Sequence, residues 1–348
     1  SMKFDWWLVV PCVLLSTLGY TILRAVSPEL SVTQLIFFGI TVVVFTIFSQ
    51  TDYVIFFSLG KIAYIFSLIF LLTPFLFGTV SRGALRWLQI GSFSLQPSEV
   101  VKPFLMIVFS LLAASASSGK LRWLVLSVIP PVLIIFLQPD LGTSLVVLVG
   151  WATIALTQFS VKTVLAAFIA LGLLFLPAYN FILQDYQRER LITFLDPYQD
   201  PLGKGYHVIQ SIIATGSGKW AGRGLGHGTQ SELRFLPEYH TDFIFASLGE
   251  SLGFIGSISV VILFLLLIWR IYTISQETLS KSASFFCIAS AALLSFQVFV
   301  NIGMNMGLAP VTGITLPFLS YGGSSLLSLG IMLGIINSIS NSKPVLRE

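Results

Sequence analysis

Charged residues are scarce in this chain. Asp, Glu, Lys and Arg make up 10% of its 348 residues, whereas a soluble domain carries about 25%. Hydrophobic residues make up 55%, and the mean hydropathy is +0.90. The shortage of charge excludes a water-soluble globular protein and predicts an integral membrane protein whose solvent is the lipid bilayer.

Polybasic runs and metal-binding patterns are also missing. The net charge of +4 is spread along the chain, so nucleic acid is not an expected partner. The two cysteines, Cys12 and Cys287, lie in apolar runs and are interpreted as small core residues rather than as a disulfide or a metal pair. The three histidines lack the spacing of zinc ligands.

A glycine-rich segment lies between residues 216 and 228. It does not fit a phosphate-binding loop, because Ile213 stands where the first glycine is required and Trp220 follows Lys219 where Ser or Thr is required. Two interpretations stay open: a tight, close-packed surface loop, or a flexible lip that lets a polymer or a lipid headgroup pass. No organic cofactor is expected.

Ten segments are long and apolar enough to cross a bilayer, which takes about 20 residues per helix. They predict an all-α polytopic membrane protein with a single integral membrane domain over residues 1–348. The predicted spans are 6–23, 31–49, 54–78, 99–117, 121–138, 141–158, 161–183, 242–272, 282–308 and 321–340.

Lys and Arg are concentrated in alternate short loops, which sets the orientation. With a cytoplasmic N-terminus, the short outer loops hold only Arg24, Arg82 and Arg86, and ten spans return the C-terminus to the cytoplasm. One long extracytoplasmic loop, 184–241, then separates spans 7 and 8. We expect it to carry short amphipathic helices and to act as a moving lid.

Asp242 lies where this loop meets the long eighth span. A carboxylate at that depth is costly unless it has a function, because apolar surroundings penalise its charge. Glu250 follows about 12 Å deeper by helical rise. It is expected to face the protein interior, either as a structural partner of Lys102 or of a backbone group, or as a substrate contact.

Four more ionisable groups are expected at the outer end of a span or in an outer loop: Arg86, Glu99, Lys102 and Asp140. Glu99 and Lys102 share a helix face and are either a self-neutralising ion pair or a lining of a polar cavity where Lys102 meets a pyrophosphate. Asp140 precedes a span, where helix capping alone also explains a carboxylate. Transporters place such groups near the midplane, so this distribution favours a cleft open to the outer leaflet.

Four motifs resemble those of the SEDS proteins (shape, elongation, division and sporulation), and they occur in the family's order. The motifs are RGALRW followed by QPSEVVK at 82–102, QPDLGT at 138–143, FLPEYHTDFIFA at 235–246, and PFLSYGGSS at 317–325. Ser251 and Arg234 depart from the family pattern. The motifs leave open whether the chain resembles the elongation (RodA) or the division (FtsW) branch, although residues 228–231 favour the former.

The resemblance implies a peptidoglycan glycosyltransferase that polymerises lipid II at the outer face of the bacterial cytoplasmic membrane, beside a class B penicillin-binding protein. Asp242 matches the family's essential aspartate and is the implied general base. Arg86, Glu99, Lys102 and Asp140 match polar positions around the family's cavity, and Glu250 is a further candidate for substrate binding. A divalent cation, Mg or Mn, is a candidate cofactor for pyrophosphate departure.

A lipid II flippase is the rival interpretation. A multi-span body with a polar cavity would suit transport as well as catalysis. A flippase, however, has no need of a base at the position of Asp242, and it needs polar groups that face both leaflets in turn. The pattern therefore favours the polymerase.

Overall fold

The computed structural model describes residues 3–81, 84–91, 93–115, 121–163, 165–166, 169, 173, 185–201, 203, 205–228, 235–236 and 238–342. Within these ranges the chain forms thirteen α-helices, which we number in chain order. They are α1 (Trp6–Val26), α2 (Pro28–Gln50), α3 (Tyr53–Ser58), α4 (Gly60–Phe77), α5 (Pro97–Val100), α6 (Lys102–Ala114), α7 (Leu121–Leu137), α8 (Leu141–Leu156), α9 (Asp185–Leu195), α10 (Tyr206–Ser217), α11 (Ile244–Glu277), α12 (Lys281–Asn305) and α13 (Gly323–Asn341).

The predicted spans correspond to real helices wherever the structure describes them. Six are long and apolar enough to cross a membrane, namely α1, α2, α4, α11, α12 and α13, while α6, α7 and α8 are shorter apolar helices. The predicted seventh span, 161–183, falls mostly outside the described residues. The fold is therefore that of a helical multi-pass membrane protein.

Two predicted spans are each divided into two helices. The 54–78 span is split between Ser58 and Gly60, and the 99–117 span is split at Val101. The second break has a local cause, since Pro103 has no backbone N–H and its ring favours the first turn of a new helix. Hydropathy alone does not register such breaks, because both segments remain largely apolar across them.

A small antiparallel sheet precedes α5 and was not predicted. Its strands are β1 (Thr79–Ser81), β2 (Ala84–Ile90) and β3 (Phe93–Leu95), in the order β1-β2-β3. Leu88 pairs with Leu95 and Ile90 with Phe93. The helical class still holds for the body of the protein, but the connection between α4 and α5 contains a β-meander.

Close packing in the bundle relies on small residues. Gly330 and Gly334 on α13 lie one turn apart and face α2, and a Cβ at these positions would lie 3.0 Å from the Thr41 carbonyl oxygen and 2.9 Å from that of Phe45. This is the small-xxx-small arrangement that lets helix backbones approach in a membrane. It fixes α13 against α2 and thereby fixes the loop before α13, which belongs to the cavity described below.

The N-terminus is tied to the ends of two distant helices. Asp5 forms an ion pair with Arg270 of α11 (Oδ2 to Nη2, 2.6 Å) and accepts a hydrogen bond from Ser340 of α13 (2.7 Å). The side chain of Asn337 also accepts from the Asp5 backbone N–H at 2.8 Å. These contacts place the start of α1 beside the ends of α11 and α13, at the opposite end of the bundle from the starts of α11 and α13.

The segment before α11 contains two helices. The charged helix α9 is followed by a 3₁₀ turn (Pro197–Gln199) and by α10. Helix α10 docks on the bundle, since Ser211 donates to the carbonyl of Asn305 at 2.8 Å and Val208 and Ala214 are buried. Helix α10 therefore packs on the start of α11 and the end of α12.

Candidate active site

A cavity of about 420 Å³ opens at the end of the bundle where α5, α8, α11 and α13 begin. Four of the six residues predicted to form the site lie in its wall: Arg86, Glu99, Asp140 and Asp242. Arg86 and Asp242 are more than 150 residues apart in sequence, so the fold itself brings them together. The wall also contains Phe37, Thr79, Trp87, Gln89, Phe93, Ser94, Gln96, Thr143, Val146, His240, Thr241, Gln297, Gly313, Ile314, Thr315, Tyr321, Gly322, Gly323, Ser324 and Ser325.

The backbone that carries Asp242 is held at four successive carbonyl groups. The Tyr239 carbonyl accepts from the hydroxyl of Ser247 (3.1 Å). The His240 carbonyl accepts from the backbone N–H of Tyr321 (2.9 Å), and the Thr241 carbonyl accepts from the hydroxyl of Ser320 (2.7 Å). The fourth carbonyl, of Asp242 itself, accepts from two side-chain amides of α12, described next.

Two asparagines on one face of α12 hold the Asp242 carbonyl. The Nδ2 atoms of Asn301 and Asn305 lie 3.1 Å and 3.0 Å from it. Asn305 also accepts from the N–H of Ala246 at 2.9 Å, in the first turn of α11. That turn has N–H groups without a helical partner, which buried helices satisfy with side chains. Both asparagines are fully buried, so the start of α11 is fixed from within the bundle.

Asp140 connects three elements of the cavity wall. Its carboxylate accepts from the N–H of Thr143 (3.2 Å), which caps α8, and from the side-chain amide of Gln96 (2.6 Å). It also accepts from the hydroxyl of Ser98 (3.3 Å) and lies 3.6 Å from Nη1 of Arg86. Capping, one of the interpretations from sequence, is thus present, but the same carboxylate also ties α5 and β2 to α8.

Arg86 retains hydrogen-bonding capacity next to this carboxylate. Its side chain is 27% exposed and lies in the cavity wall. Its buried Nε has no hydrogen-bond partner among the described residues. A guanidinium presents five donors in a planar fork that matches phosphate geometry. Arg86 can therefore keep its contact with Asp140 while offering donors to an anionic ligand.

Glu99 and Lys102 form a buried ion pair. Nζ of Lys102 lies 2.8 Å from Oε2 of Glu99, and both side chains are almost fully buried. Glu99 lines the cavity, whereas Lys102 is not among its lining residues. Of the two interpretations from sequence, this arrangement favours the self-neutralising pair, with Lys102 acting on the cavity through Glu99.

Glu250 lies away from the cavity wall and close to the glycine-rich loop. It is fully buried, and a Cβ on Gly228 would lie 2.7 Å from its Oε2. Lys102, the partner considered for it from sequence, pairs with Glu99 instead. Placing Glu250 among the substrate contacts therefore receives no support from this geometry.

The glycine-rich loop is packed against a break in α11. At Gly253 the helix has φ +66° and ψ −158°, which leaves backbone groups without helical partners. The loop supplies those partners: Arg223 and Gly224 donate to the carbonyls of Glu250 (2.9 Å) and Ser251 (3.0 Å), and the N–H groups of Phe254 and Ile255 donate to Lys219 (2.8 Å) and Trp220 (3.1 Å). We call residues 219–224 the strap. Its glycines serve close packing, which was one of the two interpretations from sequence.

Within the described residues no group of three or more His, Cys, Asp or Glu side chains is arranged to hold a metal ion. A complete protein cage for a divalent cation is therefore not formed by this part of the chain. Mg²⁺ is commonly bound by one or two carboxylates together with substrate phosphates, and that mode is compatible with the carboxylates of the cavity.

Three buried amides of α12 were missed from sequence: Gln297, Asn301 and Asn305. They recur every four residues in a largely apolar helix, which places them on one face. That spacing is a signal that sequence reasoning could have used, because buried amides require hydrogen-bond partners.

Comparison with known proteins agrees with this architecture. The FtsW/RodA/SpoVE family model, described as a cell cycle protein, matches residues 7–344. The peptidoglycan glycosyltransferase MrdB of Escherichia coli is 41% identical over 82% of this chain and 78% of its own.

Solved structures show the same fold. A chain from a peptidoglycan synthase complex, described as coordinating polymerization and crosslinking, is 32% identical with a TM-score of 0.83 over 98% of both chains. The rod shape determining protein RodA of Thermus thermophilus is 26% identical with a TM-score of 0.73 over 97% of both chains.

The fold and these relatives define a multi-pass membrane enzyme, a peptidoglycan glycosyltransferase. The chain belongs to the FtsW/RodA/SpoVE family, which confirms the resemblance found in its motifs.

Proposed function

We propose that this protein polymerises lipid II into glycan strands at the outer face of the bacterial cytoplasmic membrane, with Asp242 as the general base. The observation that carries the proposal is that Asp242, Arg86, Glu99 and Asp140 line one cavity at one end of the bundle. A base and a cation in a single recess are what transfer from a pyrophosphate-linked sugar requires.

The acceptor's GlcNAc 4-hydroxyl attacks the anomeric carbon of the donor's MurNAc, and the bond from that carbon to the pyrophosphate oxygen breaks. The hydroxyl proton passes to the carboxylate of Asp242. Undecaprenyl pyrophosphate leaves, and direct displacement converts the α-linked donor into a β-linked product. A positioned base contributes about 10²- to 10⁴-fold to such a step.

Arg86 is the proposed cation for the departing pyrophosphate. Its place in the wall and its unpartnered Nε support this role. Lys102 contributes indirectly, by holding the carboxylate of Glu99 in the wall. Mg²⁺ or Mn²⁺, when bound, would neutralise pyrophosphate charge, with cavity carboxylates and substrate oxygens as its ligands.

The cavity faces outward in this proposal. The tie between Asp5, Arg270 and Ser340 puts the N-terminus at the end of the bundle opposite the cavity. The excess of Lys and Arg in the loops at that end supports a cytoplasmic location for it. A class B penicillin-binding protein is the proposed partner on the outer side, and the similar chain from a peptidoglycan synthase complex supports it.

The test uses the purified full-length protein in liposomes with lipid II, with and without its transpeptidase. We expect glycan strands from the wild type and none from Asp242→Asn, with lipid II binding retained. Asp52→Asn is the matched control, because Asp52 is exposed and caps α3. Movement of lipid II between leaflets without strand formation would support the flippase instead.

A further inference from the structure

Gln297 is a buried amide directed at the cavity. It lies on α12, one turn before Asn301, its side chain is 2% exposed, and it belongs to the cavity wall. Asn301 and Asn305 use their amides on backbone carbonyls. Gln297 forms no hydrogen bond with any other residue that the structure describes. Buried amides are nearly always paired, so this one is available to something inside the cavity.

The chemistry of the side chain narrows what that ligand is. A glutamine amide offers two N–H donors and one carbonyl acceptor in a plane. Its best complement is another amide, which accepts and donates through adjacent groups. A pyrophosphate offers acceptors only and is better matched by Arg86. A single sugar hydroxyl would satisfy only part of the glutamine.

The neighbouring wall has a suitable apolar surface. Val146 of α8 and Ile314 belong to the same cavity, and Ile314 is held close to this face of α12 because its carbonyl accepts from Asn301 at 2.7 Å. An acetamido group carries one methyl next to its amide. Amide and methyl together match a polar glutamine beside aliphatic side chains.

We propose that Gln297 is a specificity-determining residue that binds the N-acetyl group of an amino sugar of the substrate. The inference rests on the proposed function, in which both reacting sugars, GlcNAc and MurNAc, carry this group. It adds a contact that would let the enzyme reject sugars without the acetyl group, since a site built to hydrogen-bond a substrate group discriminates against the analogue that lacks it.

The experiment compares wild type with Gln297→Leu on three substrates: lipid II, lipid II with the GlcNAc amine deacetylated, and lipid II with the MurNAc amine deacetylated. We expect the wild type to lose about tenfold in kcat/KM on one deacetylated substrate, an effect of one or two neutral hydrogen bonds. Gln297→Leu should show about the same tenfold loss in kcat/KM on native lipid II. It should show no further loss on the deacetylated substrate. The substrate that shows this non-additivity identifies the sugar.

Gln276→Leu is the control, because Gln276 is an exposed amide near the inner end of α11. Gln297→Met provides an unbranched replacement if the leucine variant folds poorly. The inference is overturned if either Gln297 variant polymerises lipid II with the wild-type preference for acetylated sugars. Failure of the proposed function looks different, since the wild type itself would then form no strands. Thermal-shift binding of the three lipids to wild type and variants tests the contact even in that case.

Discussion

The guanidinium of Arg86 lies 3.6 Å from the carboxylate of Asp140, and that carboxylate also accepts from Gln96, Ser98 and the N-terminal turn of α8. Asp140 thus orients the one arginine of the described cavity wall. An arginine that is already held by a fixed carboxylate loses less conformational freedom when it binds an anion. In the proposed mechanism, Asp140 therefore orients the cation that meets the departing pyrophosphate.

Replacing Arg86 with lysine should lower kcat/KM for lipid II polymerisation by about tenfold or more. A lysine provides a point charge and cannot hold Asp140 and a phosphate through separate arms of one planar group. Arg122→Lys is the matched control, since Arg122 lies over the ring of Trp123 on α7, away from the cavity. Equal activity of the Arg86→Lys enzyme and wild type would remove Arg86 from the mechanism.

Variants of the ion pair between Glu99 and Lys102 test its contributions to stability and to activity separately. Lys102→Met should lower the free energy of unfolding by about 3 kcal/mol, because it leaves a buried carboxylate without its cation. Adding Glu99→Gln should restore most of that stability. Activity should remain low in the double variant, because Glu99 lines the cavity. Full polymerase activity of the double variant would show that the pair is purely structural.

Asn301→Ala should reduce polymerisation by about tenfold with a smaller change in substrate KM. The substitution removes one of the two donors to the Asp242 carbonyl and frees the backbone that orients the base. Ser290→Ala, on the same helix, is the control, because the Ser290 hydroxyl is buried and has no partner among the described residues. An altered pH–rate profile in Asn301→Ala but not in Ser290→Ala would assign the asparagine a positioning role.

Gly222→Ala should destabilise the protein by more than about 1 kcal/mol. Gly222 has φ +80°, and a Cβ there would collide with the Ser251 carbonyl oxygen, so the strap could no longer approach α11. Gly216→Ala is the opposite case: Gly216 lies in α10 with open space around it, and alanine should stabilise this helix by about 0.5–1 kcal/mol. Thermal unfolding in detergent should show a lower melting temperature for Gly222→Ala and a higher one for Gly216→Ala.

Hydrogen exchange of the strap tests the moving-lid expectation directly. The backbone of Arg223 and Gly224 is bonded to α11, so these amides should exchange slowly even without a partner protein. Fast exchange at both amides would restore the flexible interpretation of the glycine-rich segment.

The N-terminal tie predicts an acid limit to stability. Burial raises the pKa of Asp5, but hydrogen bonds from Arg270 and Ser340 outweigh it and hold the pKa below its ordinary value. A carboxyl whose pKa is lower in the folded state stabilises the protein at higher pH, and that contribution is lost as the pH falls below about 4 and through the folded-state pKa.

Asp5→Asn should therefore cost about 2 kcal/mol at pH 7, and its melting temperature should depend less on pH below 4 than that of the wild type. If the melting temperatures of the two proteins changed equally with pH between pH 3 and 7, Asp5 would not contribute to the acid limit.

Much of this architecture could be predicted from sequence, because bilayer thickness and hydropathy act on contiguous residues. Asp242, Arg86, Glu99 and Asp140 were also found, since charge is conspicuous in an apolar chain. Gln297 in the cavity wall and Asn301 beneath Asp242 were not found. Uncharged amides are less conspicuous than charges in an apolar chain, and the carbonyls to which Asn301 donates lie far from it in sequence.

Two further features depended on contacts that no local pattern carries. The break at Gly253 lies inside a long, largely apolar helix, and its backbone partners come from the strap more than 25 residues earlier. The sheet around Trp87 is made of short strands with weak alternation, whose pairing is fixed by tertiary context.

The strap also has a consequence for how the chain is made. It precedes α11 in the sequence, so residues 219–224 are synthesised before the break at Gly253. An unpaired backbone group in hydrocarbon costs several kcal/mol, and this break lies about 13 Å along α11 from Ile244. The lipid environment therefore destabilises α11 until the strap packs against the break. We expect the insertion machinery to integrate α11 and the strap together.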